Sequence, residues 1–316
     1  MKTIRFSAIM PLITVAWALG FQEAHAVIVG GTLGTGNNNS TEAGLTSFLS
    51  TTAYTSFSYW NNMVRVADAS GVYLGYNAST MRGWVMSANH VTTPTSITVA
   101  GHTYSVTGST RIGSSDIKLY QIGGGLSDPT LPTLSTVPLS EVYASTGDFL
   151  VMLGRGFTTT SAQPYPWGTP GTNDANGIRW ATNTVEGGMY VNDGTVAVPN
   201  IQPYLYTDFD GPGGTGVTAY DGQASLGDSG GGMFIYRNGQ WFLSGIACFV
   251  DDGPDFLEIT ATGDNIENPS QTGDFTGFAD VRSYAGVITG VTGTLVPEPS
   301  VCSLLALALM AWRRRR

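Results

Sequence analysis

Three histidines occur in the chain, His25, His90 and His102. Imidazole is the side chain best matched to proton transfer near neutral pH, so a reaction that needs such a base has few places to find one. His90 ends the stretch Trp84-Val85-Met86-Ser87-Ala88-Asn89-His90-Val91, an apolar strand running through small residues into the imidazole. Ser229 lies in Gly227-Asp228-Ser229-Gly230-Gly231. Glycines on both sides let the backbone turn sharply, approach a carbonyl closely and aim N–H groups at it. Asp116 lies in Ser114-Ser115-Asp116-Ile117-Lys118-Leu119-Tyr120, an acid at the head of an apolar strand. Hydroxyl, imidazole and carboxylate are the types needed for a nucleophile, its base and the group that orients the base, which is the chemistry of covalent acyl transfer. Singly, each has a plainer reading: a histidine after a strand is more often structural, and Gly-Asp-Ser-Gly-Gly is often a turn. His102, beside Gly101 in an expected hairpin, reads as surface.

The elements that must position these groups are strands. Charged residues are only 12% of the chain, 42 residues are glycine, and Thr, Val, Tyr and Ser abound, which favours an all-β protein with many turns. Strand-like runs cover residues 71–76, 84–87, 97–100, 103–106, 117–122 and 149–153. Residues 233–236 and 241–250 form two more, joined by Arg237-Asn238-Gly239-Gln240. Asn-Gly is a strong hairpin signal because both positions tolerate positive φ. Residues 30–40, 163–177 and 263–275 read as loops, 123–139 as a linker, and 281–291 as a short closing helix. Many short strands with turn punctuation suggest barrels or a sandwich. The eight acids between Asp251 and Asp280 read as a solvated face, without the spaced loop of a calcium site.

Both ends have the character of addresses. Residues 1–5 carry Lys2 and Arg5, residues 6–21 are mostly apolar, and Ala24-His25-Ala26 is a small-x-small cleavage site, the pattern of a secretory signal peptide. At the other end Val296-Pro297-Glu298-Pro299-Ser300 precedes a short apolar run and four arginines. That order of parts resembles the PEP-CTERM sorting signal of Gram-negative bacteria, which implies processing by an exosortase-type enzyme and transient residence in the inner membrane. The chain carries a formal net charge of −9. Without the two ends, eight basic residues face twenty-one acidic ones, a balance near −13. A phosphate-binding surface must be basic, so a nucleic-acid partner is not expected. Of the two cysteines, Cys302 lies in the tail and Cys248 in the body, so the body has no internal disulfide.

Taken in order, the motifs resemble those of the chymotrypsin/trypsin-like serine proteases. Ile28-Val29-Gly30-Gly31 resembles the family's mature N-terminus, residues 84–91 its histidine motif, 116–119 its aspartate motif, 227–231 its serine motif and Leu243-Ser244-Gly245-Ile246 the strand that follows. Residues 278–288 resemble the segment entering its C-terminal helix. The resemblance implies two antiparallel six-stranded Greek-key barrels and a short C-terminal helix. It places the first barrel in residues 27–135, the second with the helix in 136–292, the signal peptide in 1–26 and the tail in 293–316. It implies a secreted serine endopeptidase acting on polypeptides at the cell surface or in the extracellular matrix, without a cofactor. Ser229 would be the nucleophile, His90 the base and Asp116 its orienter, with the N–H groups of Gly227 and Ser229 as the oxyanion hole. A freed Ile28 amine would pair with Asp228. Cys248, Phe249 and Val250 would line the substrate pocket, with Gln223 at its base. The alternative is a catalytically silent protein of the same fold that serves as a binding or matrix component.

The sequence also departs from that family. Val91 and Ser225 stand where two common disulfides have cysteines, and Cys248 stands where a serine usually touches the aspartate. Cleavage after Ala26 would leave Val27 ahead of Ile28. Gln223 argues against a fixed acid at the pocket base, and Val250 against a deep pocket, so small or medium uncharged residues are expected before the scissile bond.

Overall fold

Sequence patterning and backbone chemistry account for most of the strands. The structure, a computed structural model, describes residues 27–29, 39–124, 131, 134–156, 177–192, 200–210, 217–225, 227–250 and 274–295. In chain order these form β1 (Ile28–Val29), α1 (Glu42–Leu49), β2 (Met63–Val66), β3 (Ala69–Asn77), β4 (Arg82–Ala88), β5 (Ser96–Val99), β6 (His102–Arg111) and β7 (Ile117–Ile122). There follow β8 (Phe149–Gly154), β9 (Arg179–Thr184), β10 (Gly187–Asn192), β11 (Ile201–Asp208), β12 (Gly222–Gln223), β13 (Gly232–Arg237), β14 (Gln240–Val250), β15 (Phe275–Asp280) and α2 (Val281–Thr292).

Thirteen of the fifteen strands make two large antiparallel sheets. The first has the order β2-β3-β4-β7-β6-β5, and β5 returns against β2 so that the sheet nearly closes. The second has seven strands rather than six, in the order β10-β11-β15-β14-β13-β8-β9, with β9 approaching β11. The extra strand, β10, pairs only with β11 and exposes alternate residues, including Tyr190, which fits an edge strand. β1 and β12 form a separate two-stranded piece, with Ile28 opposite Gln223.

Strands β3 and β8 are buried along almost their whole length, because each packs on both faces. The segment ahead of β2 fills the space between the sheets with aromatic rings. Tyr59 stacks on Phe234 at 5.7 Å and Phe57 meets the same ring edge-on at 4.9 Å. Trp241 donates its indole N–H to the Thr55 carbonyl. The hairpin between β13 and β14 turns through Asn238 and Gly239, both at positive φ (51° and 82°), as its dipeptide requires.

Helix α1 escaped the sequence reading. It is only eight residues long, capped by the Thr41 side chain on the Gly44 N–H, with Leu45 and Leu49 buried one turn apart. At the other end α2 begins on Asp280, whose carboxylate accepts from the Arg282 N–H. Asp280 and Asp274 are therefore buried, a correction to the solvated acidic face; the other six acids of that run lie outside the described residues. The stretch read as a linker is partly built into the sheets: Val137 donates to the Leu74 carbonyl, and Leu139 bridges to Leu243. His102 is exposed.

Candidate active site

Register alone brings two of the three chemical groups together. β4 and β7 are neighbours with Ala88 opposite Ile117. The residue two past the end of one strand therefore lies beside the residue just before the other. The Asn89 N–H donates to the Asp116 carbonyl at 3.1 Å. The Asp116 carboxylate then holds His90 at two points: Oδ1 accepts the backbone N–H at 2.9 Å and Oδ2 lies 2.7 Å from ring Nδ1. Asp116 is largely covered while the imidazole is about half exposed, so the carboxylate is sheltered and the ring faces solvent.

The third group comes from the second sheet. Ser229 sits in the turn between β12 and β13, and its Oγ lies 2.9 Å from His90 Nε2. The turn is bonded to both sheets. The Ser229 carbonyl accepts from the Ser70 N–H of β3 at 2.8 Å, while Gly230 N–H donates to the Ala247 carbonyl of β14 at 2.7 Å. Gly230, at φ 86°, lies so close to the Ser70 carbonyl and the Ser87 hydroxyl that a Cβ there would overlap both.

The N–H groups of this turn divide into two sets. Those of Asp228, Gly230 and Gly231 are donated to the carbonyls of Ser225, Ala247 and Asp228. Those of Gly227 and Ser229 have no acceptor among the described residues. Two free N–H groups flanking a hydroxyl that is bonded to an imidazole can bind a negative oxygen beside that hydroxyl.

Asp228 is buried, and its oxygens accept from the Gly156 N–H (3.1 Å) and the Ser225 N–H (3.0 Å). Burial pushes its carboxyl well above the usual range, against the opposing pull of those two bonds and of the Arg179 charge. The expected Ile28–Asp228 pair is not formed in the continuous chain. Ile28 runs in β1 opposite Gln223, with Val27 buried ahead of it. An α-amine at position 28 exists only after a cut before it.

Of the expected pocket residues, Gln223 is fully buried in β12 and Val250 is half-buried opposite Thr276. Phe249 lays its ring over Gly277 and meets Tyr204 edge-on at 5.2 Å. Cys248 points Sγ at the carbonyls of Ile246 (3.2 Å) and Asp116 (3.7 Å), so it touches the backbone of the aspartate. The sequence reading missed Ser70, Gly156 and Thr276. Thr276 accepts the Ala224 N–H at 2.9 Å, beside Gln223. None of these three lies in a motif, and only their position beside strand partners reveals them. A cavity of about 460 Å³ lies elsewhere, with Trp60, Met63, Arg65 and Arg155 among its lining; it includes none of the triad. Among the described residues no cluster of His, Cys, Asp or Glu is placed to hold a metal.

No family model and no curated protein matches the sequence. Solved structures do resemble the fold. Neuropsin, a serine protease expressed in mouse brain, is 16% identical over 74% of this chain and 96% of its own, with a TM-score of 0.46. The Rv3671c protease of M. tuberculosis in its active form is 14% identical over 75% of this chain and 82% of its own, with a TM-score of 0.42. Its inactive form is 14% identical over 82% and 99%, with a TM-score of 0.44. The likeness to these solved structures is one of fold alone.

Proposed function

We propose that the chain is a secreted serine endopeptidase that cleaves polypeptides through an acyl-enzyme. One observation carries the reading: the unbroken path from Ser229 Oγ to His90 Nε2 and from His90 Nδ1 to Asp116 Oδ2, at 2.9 and 2.7 Å. Ser229 Oγ attacks the scissile carbonyl as its proton passes to His90 Nε2. Asp116, fixed by its second bond to the His90 backbone, holds the ring with Nδ1 protonated and stabilises the imidazolium. The carbonyl oxygen becomes negative and is received by the free N–H groups of Gly227 and Ser229. His90 then gives its proton to the leaving amine, and the C–N bond breaks to leave the ester on Ser229. Water, deprotonated by the same imidazole, hydrolyses that ester and restores the hydroxyl.

The pocket supports cleavage after small or medium uncharged residues. Val250 is branched and half-buried, so its side chain takes up room that a glycine would leave open. A peptide library cleaved only after Arg or Lys would overturn this preference. Export through the signal peptide, and handling of the tail by an exosortase-type enzyme at the inner membrane, follow from the composition of the two ends.

The decisive experiment is active-site labelling with a fluorophosphonate. Wild type is expected to be labelled and to hydrolyse casein, and Ser229→Ala to do neither, with a loss on the order of 10⁶-fold in kcat. Folded wild type that takes no label and cleaves nothing would reject the reading in favour of a silent binding or matrix protein.

A further inference from the structure

We propose that Ser70, outside every motif, is a positioning residue that holds the oxyanion-binding turn through its hydroxyl. For its catalytic meaning this rests on the endopeptidase reading.

Ser70 is completely buried in β3, yet its polar groups are engaged largely outside its own hairpin. Its N–H donates to the Ser229 carbonyl at 2.8 Å. Its carbonyl accepts from the Ser87 hydroxyl at 2.6 Å. Its hydroxyl donates to the Gly227 carbonyl at 3.0 Å and accepts the Arg155 N–H at 2.7 Å. A serine hydroxyl has one proton to give, and here it is given to the turn that carries the nucleophile.

The bond to Gly227 acts on one peptide plane. The plane between Gly227 and Asp228 has its carbonyl end held by Ser70 Oγ and its N–H end held by the Ser225 carbonyl at 3.0 Å. A peptide unit is rigid, so bonds at opposite ends fix its rotation. The N–H groups of Gly227 and Ser229, which have no acceptor among the described residues, lie in the planes on either side. Their direction relative to each other follows from the dihedrals flanking the held plane. Gly227 sits at φ 83° and has no side chain to resist a change in those dihedrals. Resistance must come from the bonds, and Ser70 supplies the one at the carbonyl.

The same oxygen secures a second segment. Arg155, bonded to Ser70 Oγ, is followed by Gly156, whose N–H donates to Asp228 Oδ1. Gly154, just before it, packs so tightly on the Asp228 carboxyl that a Cβ would not fit. One atom of the first sheet thus ties the exit of β8 to the nucleophile turn. Removing it would take from the Gly227 carbonyl and the Arg155 N–H a bond made at a fully buried side chain.

The test uses the full chain as wild type, Ser70→Ala and Ser70→Cys. The cysteine nearly keeps the shape and replaces a strong donor with a weak one. Four quantities are read: kcat and KM on a short alanine-containing peptide p-nitroanilide, the affinity of the matching peptide boronic acid, and amide hydrogen exchange across residues 225–231. For Ser70→Ala, kcat is expected to fall ~10–100-fold with KM within ~3-fold, because only the oxyanion contacts loosen. Boronate affinity should fall with kcat, exchange across the turn should rise, and Ser70→Cys should lie between. A folded variant with kcat within twofold of wild type overturns the proposal. If Ser70→Ala does not fold, Ser70→Cys carries the same comparison. If wild type itself neither hydrolyses nor takes label, the endopeptidase reading fails, and exchange alone judges Ser70: a faster turn upholds the pin and an unchanged one overturns it.

Discussion

At the scale of single residues, the two-point hold of Asp116 on His90 sets the sharpest expectation. One carboxylate oxygen takes the backbone N–H and the other the ring N–H. An amide in its place has one acceptor for two donors, so Asp116→Asn must either lose the backbone bond or present its NH₂ to Nδ1. The second outcome forces the wrong tautomer. Activity should fall ~10⁴-fold, while the melting temperature measured by circular dichroism stays close to wild type. Cys248 contributes less. Its thiol, at 3.7 Å from the Asp116 carbonyl, is a weak and long donor. Cys248→Ala is therefore expected to leave kcat within ~3-fold, a result read directly in the p-nitroanilide assay.

At the scale of elements, the ends of β11 and β12 gather carboxyl groups. Asp221, fully buried before β12, accepts the N–H groups of Asp210 (2.9 Å) and Thr218 (3.1 Å). Burial pushes it up to about 8 in spite of those bonds, and Asp210 rises to about 6 through burial and the charges of Asp208 and Glu186. Both groups hold their protons more tightly in the folded chain than in the unfolded one. Their contribution to stability is complete below the ordinary value of 3.8 and is lost as pH rises, through about 6 for Asp210 and about 8 for Asp221. The melting temperature should therefore fall steadily from pH 5 to pH 8. Asp210→Asn removes one of the two losses, so its profile should be flatter and its melting temperature at pH 8 higher by ~3 °C. A profile as steep as wild type would contradict this account. The β13–β14 hairpin offers a second check at this scale. Gly239, at φ 82°, should lose ~1–2 kcal/mol on replacement by valine, measured by urea unfolding.

At the scale of the whole molecule, the candidate site exists only where the sheets meet. His90 and Asp116 come from the first and Ser229 from the second, and aromatic rings from residues 54–59 fill the space between. No disulfide reinforces that junction among the described residues, where Cys248 is a buried thiol. Reducing agent should accordingly leave the melting temperature unchanged to within ~1 °C, whereas reduction of a native disulfide would remove ~2–4 kcal/mol. Differential scanning calorimetry with and without dithiothreitol makes the comparison.

What the residues decided by themselves were the features that rest on local chemistry. Strand character, the Asn238-Gly239 turn and the glycine-flanked serine follow from dihedral preferences and side-chain pattern within a few residues. The three chemical groups were legible for the same reason, since each sits in its own short motif. Tertiary structure decided what depends on partners distant in sequence. Helix α1 is stabilised by packing of Phe48 on Trp180, far along the chain. The seventh strand of the second sheet is defined by pairing with β11. Ser70 reaches Gly227 across 157 residues. A hydroxyl in an apolar strand is unremarkable in sequence; its bond to a particular carbonyl comes into being only when two sheets close on each other.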